Sequence, residues 1–152
     1  MEIKYFNSNF DKITQNKDTD QRITNLIEKL PSLNIVSDKN LLEETIKISN
    51  QFKEKKEKII VFGTGGSNLG ARALNNIISN NKIILEFYDN VDPINFEKNF
   101  QNINFELTGF LIISKSGTTP ETLSQFSCLY QKAVEVNKVE DFFSNTLIIT
   151  EF

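Results

Sequence analysis

The 152-residue sequence contains no histidine. That absence excludes a Ser-His-Asp triad, a Cys-His pair, a His-ligated zinc and an imidazole general base on this chain. Acid–base chemistry must then come from carboxylates, lysine or tyrosine, or be completed from elsewhere. Cysteine is nearly as scarce. Cys128 stands alone, which excludes an intrachain disulfide framework and suits a reducing cytosol. Basic charge is lacking too: 17 Lys and Arg against 20 Asp and Glu leave a net charge of −3, with no field for a nucleic-acid backbone. Long apolar runs are missing. Stretches such as Ile59–Phe62 and Phe110–Ile113 reach about four residues, where a membrane span needs roughly 20. The opening MEIKYFNSNF carries no apolar signal region. The expectation is a soluble, cytoplasmic protein without metal, cofactor, nucleic-acid or membrane partner.

What is present suffices for about one domain, with 39% hydrophobic residues and 13 Phe to fill a core. The chain divides near residue 57. Residues 1–57 read as a helical segment: Ile23, Leu26, Ile27 and Leu30 follow a helical spacing up to Pro31. Leu41, Thr45, Ile48 and Phe52 repeat it, with Ser37 or Asp38 as the N-cap. From residue 58 to 152 the period changes. Lys58–Phe62, Lys82–Tyr88, Gly109–Ser114 and Thr146–Thr150 are short, continuously apolar and β-branched, as buried parallel strands are. Helical stretches Leu69–Ser79, Pro93–Gln101 and Pro120–Asn137 alternate with them. The fold class is α/β, an open three-layer parallel sheet of order 2-1-3-4 with right-handed crossovers. After the last strand only Glu151 and Phe152 remain, so the domain reads as incomplete at its C-terminus.

Two loops carry the chemistry. The first, Gly63-Thr64-Gly65-Gly66-Ser67-Asn68-Leu69-Gly70, follows the first strand and opens a helix; its glycines let backbone approach a ligand at a helix N-terminus. It lacks the Lys of a P-loop and the Gly that a nucleophile elbow needs at position 69. A dinucleotide fingerprint wants Gly where Asn68 stands, although Asp89 falls about where a ribose-binding acid would.

The second loop, Ser114-Lys115-Ser116-Gly117-Thr118-Thr119-Pro120-Glu121-Thr122, holds five hydroxyls in nine residues. Capping accounts for part: Thr119 as N-cap with Pro120 at N1, or a Thr118–Glu121 capping box. The remaining hydroxyls, one Lys and no Arg suit a small phosphorylated metabolite rather than a nucleotide triphosphate with magnesium. In a 2-1-3-4 sheet both loops open onto the topological switch point, where such folds bind ligands. Asp92-Pro93 reads as a cap and N1, Glu121 as a capping or orienting acid, and Cys128 as core.

The stretches GTGGSNLGARAL and SKSGTTPETL, with YDNVDP between them, resemble the amino-terminal sugar isomerase (SIS) domain of the glucose-6-phosphate isomerase family, from about Lys58 to the end. The resemblance implies an SIS-type, flavodoxin-like sheet. It also implies a hexose 6-phosphate held by Ser114, Lys115, Ser116, Thr118, Thr119 and Thr122, with Gly65, Gly66 and Ser67 along the sugar. Thr64 replaces the family's usual aliphatic residue. The family interconverts glucose 6-phosphate and fructose 6-phosphate, in glycolysis and gluconeogenesis, by ring opening and proton transfer through a cis-enediol. The base, ring-opening histidine, arginine and catalytic lysine belong to a second SIS domain and C-terminal helices, so no catalytic residue is assigned to this chain. The missing SIS domain and a homodimer are the implied partners, and the chain alone is expected to be inactive. A non-catalytic single-SIS phosphosugar sensor is the alternative, and a nicotinamide-binding protein a third reading.

Overall fold

A computed structural model describes residues 17–78 and 82–151. The chain separates into two compact units, Met1–Ile46 and Lys47–Phe152. In the first, α1 (Lys17–Lys29) places Asp18 and Asp20 in its first turn and Lys29 in its last, the arrangement that the helix dipole favours. Pro31 opens the short α2 (Pro31–Asn34) instead of only ending the preceding run, since proline fits a first helical turn. A 3-10 turn, Ile35–Ser37, leads into α3 (Lys39–Phe52), whose residues from Lys47 on, Phe52 included, belong to the second unit. Asp38 caps α3 by accepting from the Leu41 N–H at 3.0 Å.

The second unit is built on a four-stranded, wholly parallel sheet in the order β2-β1-β3-β4. The strands are β1 (Lys58–Phe62), β2 (Ile84–Tyr88), β3 (Thr108–Ile113) and β4 (Thr146–Ile149). The helices are α4 (Leu69–Ile77), α5 (Pro93–Phe100), α6 (Pro120–Glu135) and α7 (Val139–Ser144). Right-handed crossovers in this order put α4 on one face and α5, α6 and α7 on the other. The core lies under the second group: Ile60 and Phe62 of β1 and Phe110 and Ile112 of β3 meet Phe100, Leu129, Ala133 and Phe142. The Phe62 ring packs against Tyr88, Phe96 and Phe100 with centroids 5.7, 6.3 and 6.1 Å apart. On the opposite face, Phe52 at the end of α3 lies where a side chain at Gly109 would be, 3.0 Å from an added Cβ.

The sheet ladder does not stop at the strand ends. The Gly63 N–H donates to the Tyr88 carbonyl at 3.3 Å, and the Ser114 N–H to the Ile149 carbonyl at 3.0 Å. Both loops singled out above therefore start on residues still anchored to a neighbouring strand, at the carboxyl edge of the central pair. Among the described residues, no helix is long and apolar enough to cross a membrane.

The Cys128 expectation is corrected: its thiol is exposed. The buried stripe of α6 is Thr122, Gln125, Leu129 and Ala133, and Cys128 is one position off it. There it lines a groove of about 650 Å³ between α5 and α6, with Phe96, Phe100 and Gln125.

Candidate functional site

The first loop is one tight turn. Gly65–Ser67 forms a 3-10 turn, closed by Ser67 N–H to the Thr64 carbonyl and Asn68 N–H to the Gly65 carbonyl, each at 3.1 Å. Its glycines have different reasons. A Cβ on Gly63 would stand 3.1 Å from Ser67 Cβ and 3.4 Å from the Ile113 carbonyl, so Gly63 is required by close packing between β1 and β3. Gly65 has φ +54°, a left-handed conformation that favours glycine. Around Gly65, Gly66 and Gly70, no described atom would lie within 4 Å of an added Cβ. Packing alone accounts for one of the four.

Asn68 occupies the N-cap position of α4, a place where Asn normally caps, yet its side chain makes no bond to the helix. It is completely buried, and its Nδ2 donates back to the Gly63 carbonyl at 3.0 Å. Its Oδ1 is buried without a protein partner. Leaving such an acceptor unpaired costs about 1–3 kcal/mol. Sequence reasoning missed this residue, because an Asn before a helix reads as a cap or as a failed dinucleotide match.

The second loop repeats the device. Thr119 is the N-cap of α6 with Pro120 at N1, but its hydroxyl does not cap. It shares a 2.9 Å hydrogen bond with the Ser114 hydroxyl instead. The Thr118–Glu121 capping box is not formed, because the cap lies at Thr119 and Glu121 therefore stands at N2, not N3. Ser116 Oγ accepts from the Thr118 N–H at 3.2 Å and from its hydroxyl at 3.0 Å. Gly117, at φ +68°, turns the chain between these pairs. Lys115 points outward, its side chain 82% exposed and 3.7 Å from the Glu151 carboxylate. Its carbonyl accepts from the Glu151 N–H at 3.0 Å, tying the loop to the end of β4.

Ser114, Ser116, Thr118 and Thr119 thus gather into two hydroxyl pairs at the head of α6. Gly65, Gly66 and Ser67 lie on the adjoining loop across the β1–β3 pair. Thr122 is apart from both sets. It is 1% exposed on the buried stripe of α6, and its Oγ1 has no protein partner.

Two acids near the first loop are otherwise engaged. Asp92 caps α5, accepting from the Ile94 and Asn95 N–H groups at 3.0 and 3.3 Å. Asp89, the acid of the dinucleotide alternative, pairs with Arg72 at 3.1 Å. Tyr88, below the first loop, keeps its proton: burial first, then the Glu86 carboxylate, push its phenol up to about 12.

The phosphoglucose isomerase family model matches residues 16–150, nearly the whole chain. The chain belongs to the phosphoglucose isomerase family. Among curated members of that family, the glucose-6-phosphate isomerase of Campylobacter jejuni is 33% identical over 108 residues, covering 68% of this chain and 26% of that protein. That of Borreliella burgdorferi is 34% identical over 119 residues, covering 74% of this chain and 22% of its own length. The chain spans about a quarter of the length of these relatives. The fold likeness extends to a hypothetical protein from Thermus thermophilus, with TM-score 0.72, 22% identity, and 88% of this chain covered against 33% of that one. A glucose-6-phosphate isomerase from Chlamydia trachomatis gives TM-score 0.63 and 24% identity over 71% of this chain and 22% of its own. Both loops described above fall inside the matched residues.

Proposed function

We propose that this chain is the sugar-phosphate-binding portion of a glucose-6-phosphate isomerase, holding a hexose 6-phosphate and carrying no turnover by itself. One observation supports this most. Asp38 and Asp92 cap α3 and α5 with their side chains, whereas Asn68 and Thr119, also of the capping type, do not cap α4 and α6. These two helices directly follow the adjacent central strands β1 and β3, whereas α7, also without a side-chain cap, follows α6 and has Lys138, not a capping residue type, at its N-cap. Their first-turn N–H groups, at the positive end of each helix dipole, suit an anion.

In this reading the phosphate sits at the head of α6. There Ser114, Ser116, Thr118 and Thr119 offer hydroxyls and the backbone around Lys115 offers N–H groups. Charge-assisted bonds of this kind contribute about 1.5–3 kcal/mol each, enough for a singly phosphorylated metabolite without magnesium. The sugar lies along Gly65, Gly66 and Ser67, where the empty space above the glycines lets it approach the backbone. Thr122, buried in the first turn of α6 with its Oγ1 unpartnered by protein, is the remaining hydroxyl for the phosphate.

Aldose–ketose interconversion opens the sugar ring and moves a proton between adjacent carbons. Each step needs a positioned acid or base, worth about 10²–10⁴ in rate. This chain has no histidine, and Asp89 and Asp92 are committed to Arg72 and to α5. In this reading proton transfer falls to the rest of a longer, homodimeric glycolytic enzyme, of whose relatives' length this chain spans about a quarter, and Glu121 orients the second loop. The test has two readings. Calorimetric titration with glucose 6-phosphate gives saturable binding, and a coupled assay for fructose 6-phosphate gives no rate above background. Absence of binding refutes the cradle, and measurable turnover refutes the division of labour.

A further inference from the structure

We propose that Asn68 is a positioning residue, a staple across the neck of the first loop that holds Gly65, Gly66 and Ser67 in the posture a sugar meets. The inference rests on the binding reading above and adds to it a residue outside both hydroxyl pairs.

Three hydrogen bonds close the segment Gly63–Asn68 into a rigid ring. Ser67 N–H donates to the Thr64 carbonyl and Asn68 N–H to the Gly65 carbonyl, both at 3.1 Å, and Asn68 Nδ2 donates to the Gly63 carbonyl at 3.0 Å. Only the last comes from a side chain, and it spans five residues. The inner side of the ring is fully packed: Asn68 is 0% exposed, and Gly63 leaves no room for a Cβ against Ser67 and the Ile113 carbonyl. The outer side is empty, with nothing described within 4 Å of the Cβ positions at Gly65 and Gly66.

A turn that served only to join β1 to α4 would let Asn68 cap the helix, its ordinary use. Here the amide is turned inward, its Oδ1 buried without a protein partner, and the cap is given up. What that inward turn achieves is a fixed presentation of the loop's outer backbone, with the α4 N–H groups left uncapped beside it. The anchor is continuous with the sheet, because Gly63 also donates to the Tyr88 carbonyl.

The experiment compares two ligands on the intact 152-residue chain by calorimetric titration: inorganic phosphate, which needs only the second loop, and glucose 6-phosphate, which needs both. Asn68→Ala is expected to raise the Kd for glucose 6-phosphate about tenfold while the Kd for phosphate moves less than about twofold. Equal weakening of both ligands, or of neither, overturns the inference; a purely structural Asn68 would weaken both. If Asn68→Ala does not fold, Asn68→Leu, which keeps the branched shape of the buried side chain but lacks the Nδ2 donor to Gly63, is read by the same criterion. An unmodified chain that binds neither ligand refutes the binding reading itself, and this inference with it. That outcome is separable because it needs no variant.

Discussion

The hydroxyls of Ser114 and Thr119 share a hydrogen bond of 2.9 Å across the turn between β3 and α6. Ser114 is held by the sheet through the Ile149 carbonyl, and Thr119 is the N-cap of α6. The bond therefore fixes the helix head to the strand end, and it occupies a hydroxyl that would otherwise cap. Ser114→Ala and Thr119→Ala are each expected to weaken inorganic phosphate binding about tenfold, because either change breaks the hydroxyl pair that orients both groups toward the anion. The double variant should lose much less than the product, because removing either partner already breaks the pair. Calorimetry on the three variants checks this, and unchanged affinity would put the cradle elsewhere.

The loop glycines divide by the space around them, and substitution should divide them the same way. Gly63→Ala drives a Cβ against Ser67 and the Ile113 carbonyl and is expected to destabilise by about 1–3 kcal/mol. Gly117→Ala, at φ +68°, should cost about 1–2 kcal/mol through backbone strain. Gly66→Ala meets nothing and has no left-handed φ, so its stability should stay within about 0.5 kcal/mol of the parent. Its affinity for glucose 6-phosphate should nevertheless fall, because the methyl group takes the space proposed for the sugar. Denaturant melts beside titrations separate the two effects.

Much of this architecture was legible because the central strands are buried on both faces. IIVF and FLII are continuous apolar runs for that reason, and β1 and β3 fall within a residue of their expected limits. The edge strand was less clear: Lys82 and Ile83 look like strand, but pairing starts at Ile84 opposite Lys58. The helix α7 was not foreseen. Six residues give too little periodicity, and only the structure separates Phe142, fully buried, from Phe143, about half exposed. Asn68 was illegible for a different reason. The same residue type serves a cap and a staple, and only the direction of its amide distinguishes them.

Phe142 is the point where that unforeseen helix joins the core. Its ring lies 5.2 Å from Phe110, 5.4 Å from Phe126 and 6.2 Å from Phe105. Phe142→Ala should cost about 3–5 kcal/mol, and Phe143→Ala far less, as its side chain already faces solvent. Urea denaturation of the two variants tests the contrast. Similar losses would mean that α7 packs in another register.

Cys128 provides a simple check on the face that α6 turns to the sheet. Its thiol is exposed beside Phe96 and Phe100, although the residue lies in an apolar-periodic helix. A thiol-reactive disulfide reagent should label the native chain fully, at a rate near that of the unfolded chain. Labelling that waits for denaturant would place Cys128 on the buried stripe and rotate α6 by about a third of a turn.

Tyr88 sets a limit on stability in alkali. In the folded chain, burial and then the Glu86 carboxylate raise its phenol to about 12 from the ordinary 10.0, and its hydroxyl lies 3.4 Å from Glu86. Below pH 10 both folded and unfolded chains keep the proton, so Tyr88 gives stability no pH dependence. As pH rises from 10 toward 12, the unfolded chain releases it first, and stability falls across that window. Tyr88→Phe removes the proton and should flatten that decline, while leaving stability near neutral pH set by packing against Phe62 and Phe100. Ultraviolet phenolate titration combined with denaturant melts at stepped pH reads both quantities. A Tyr88 phenol that ionises near its ordinary 10.0 in the folded chain would mean that water reaches it beside Glu86.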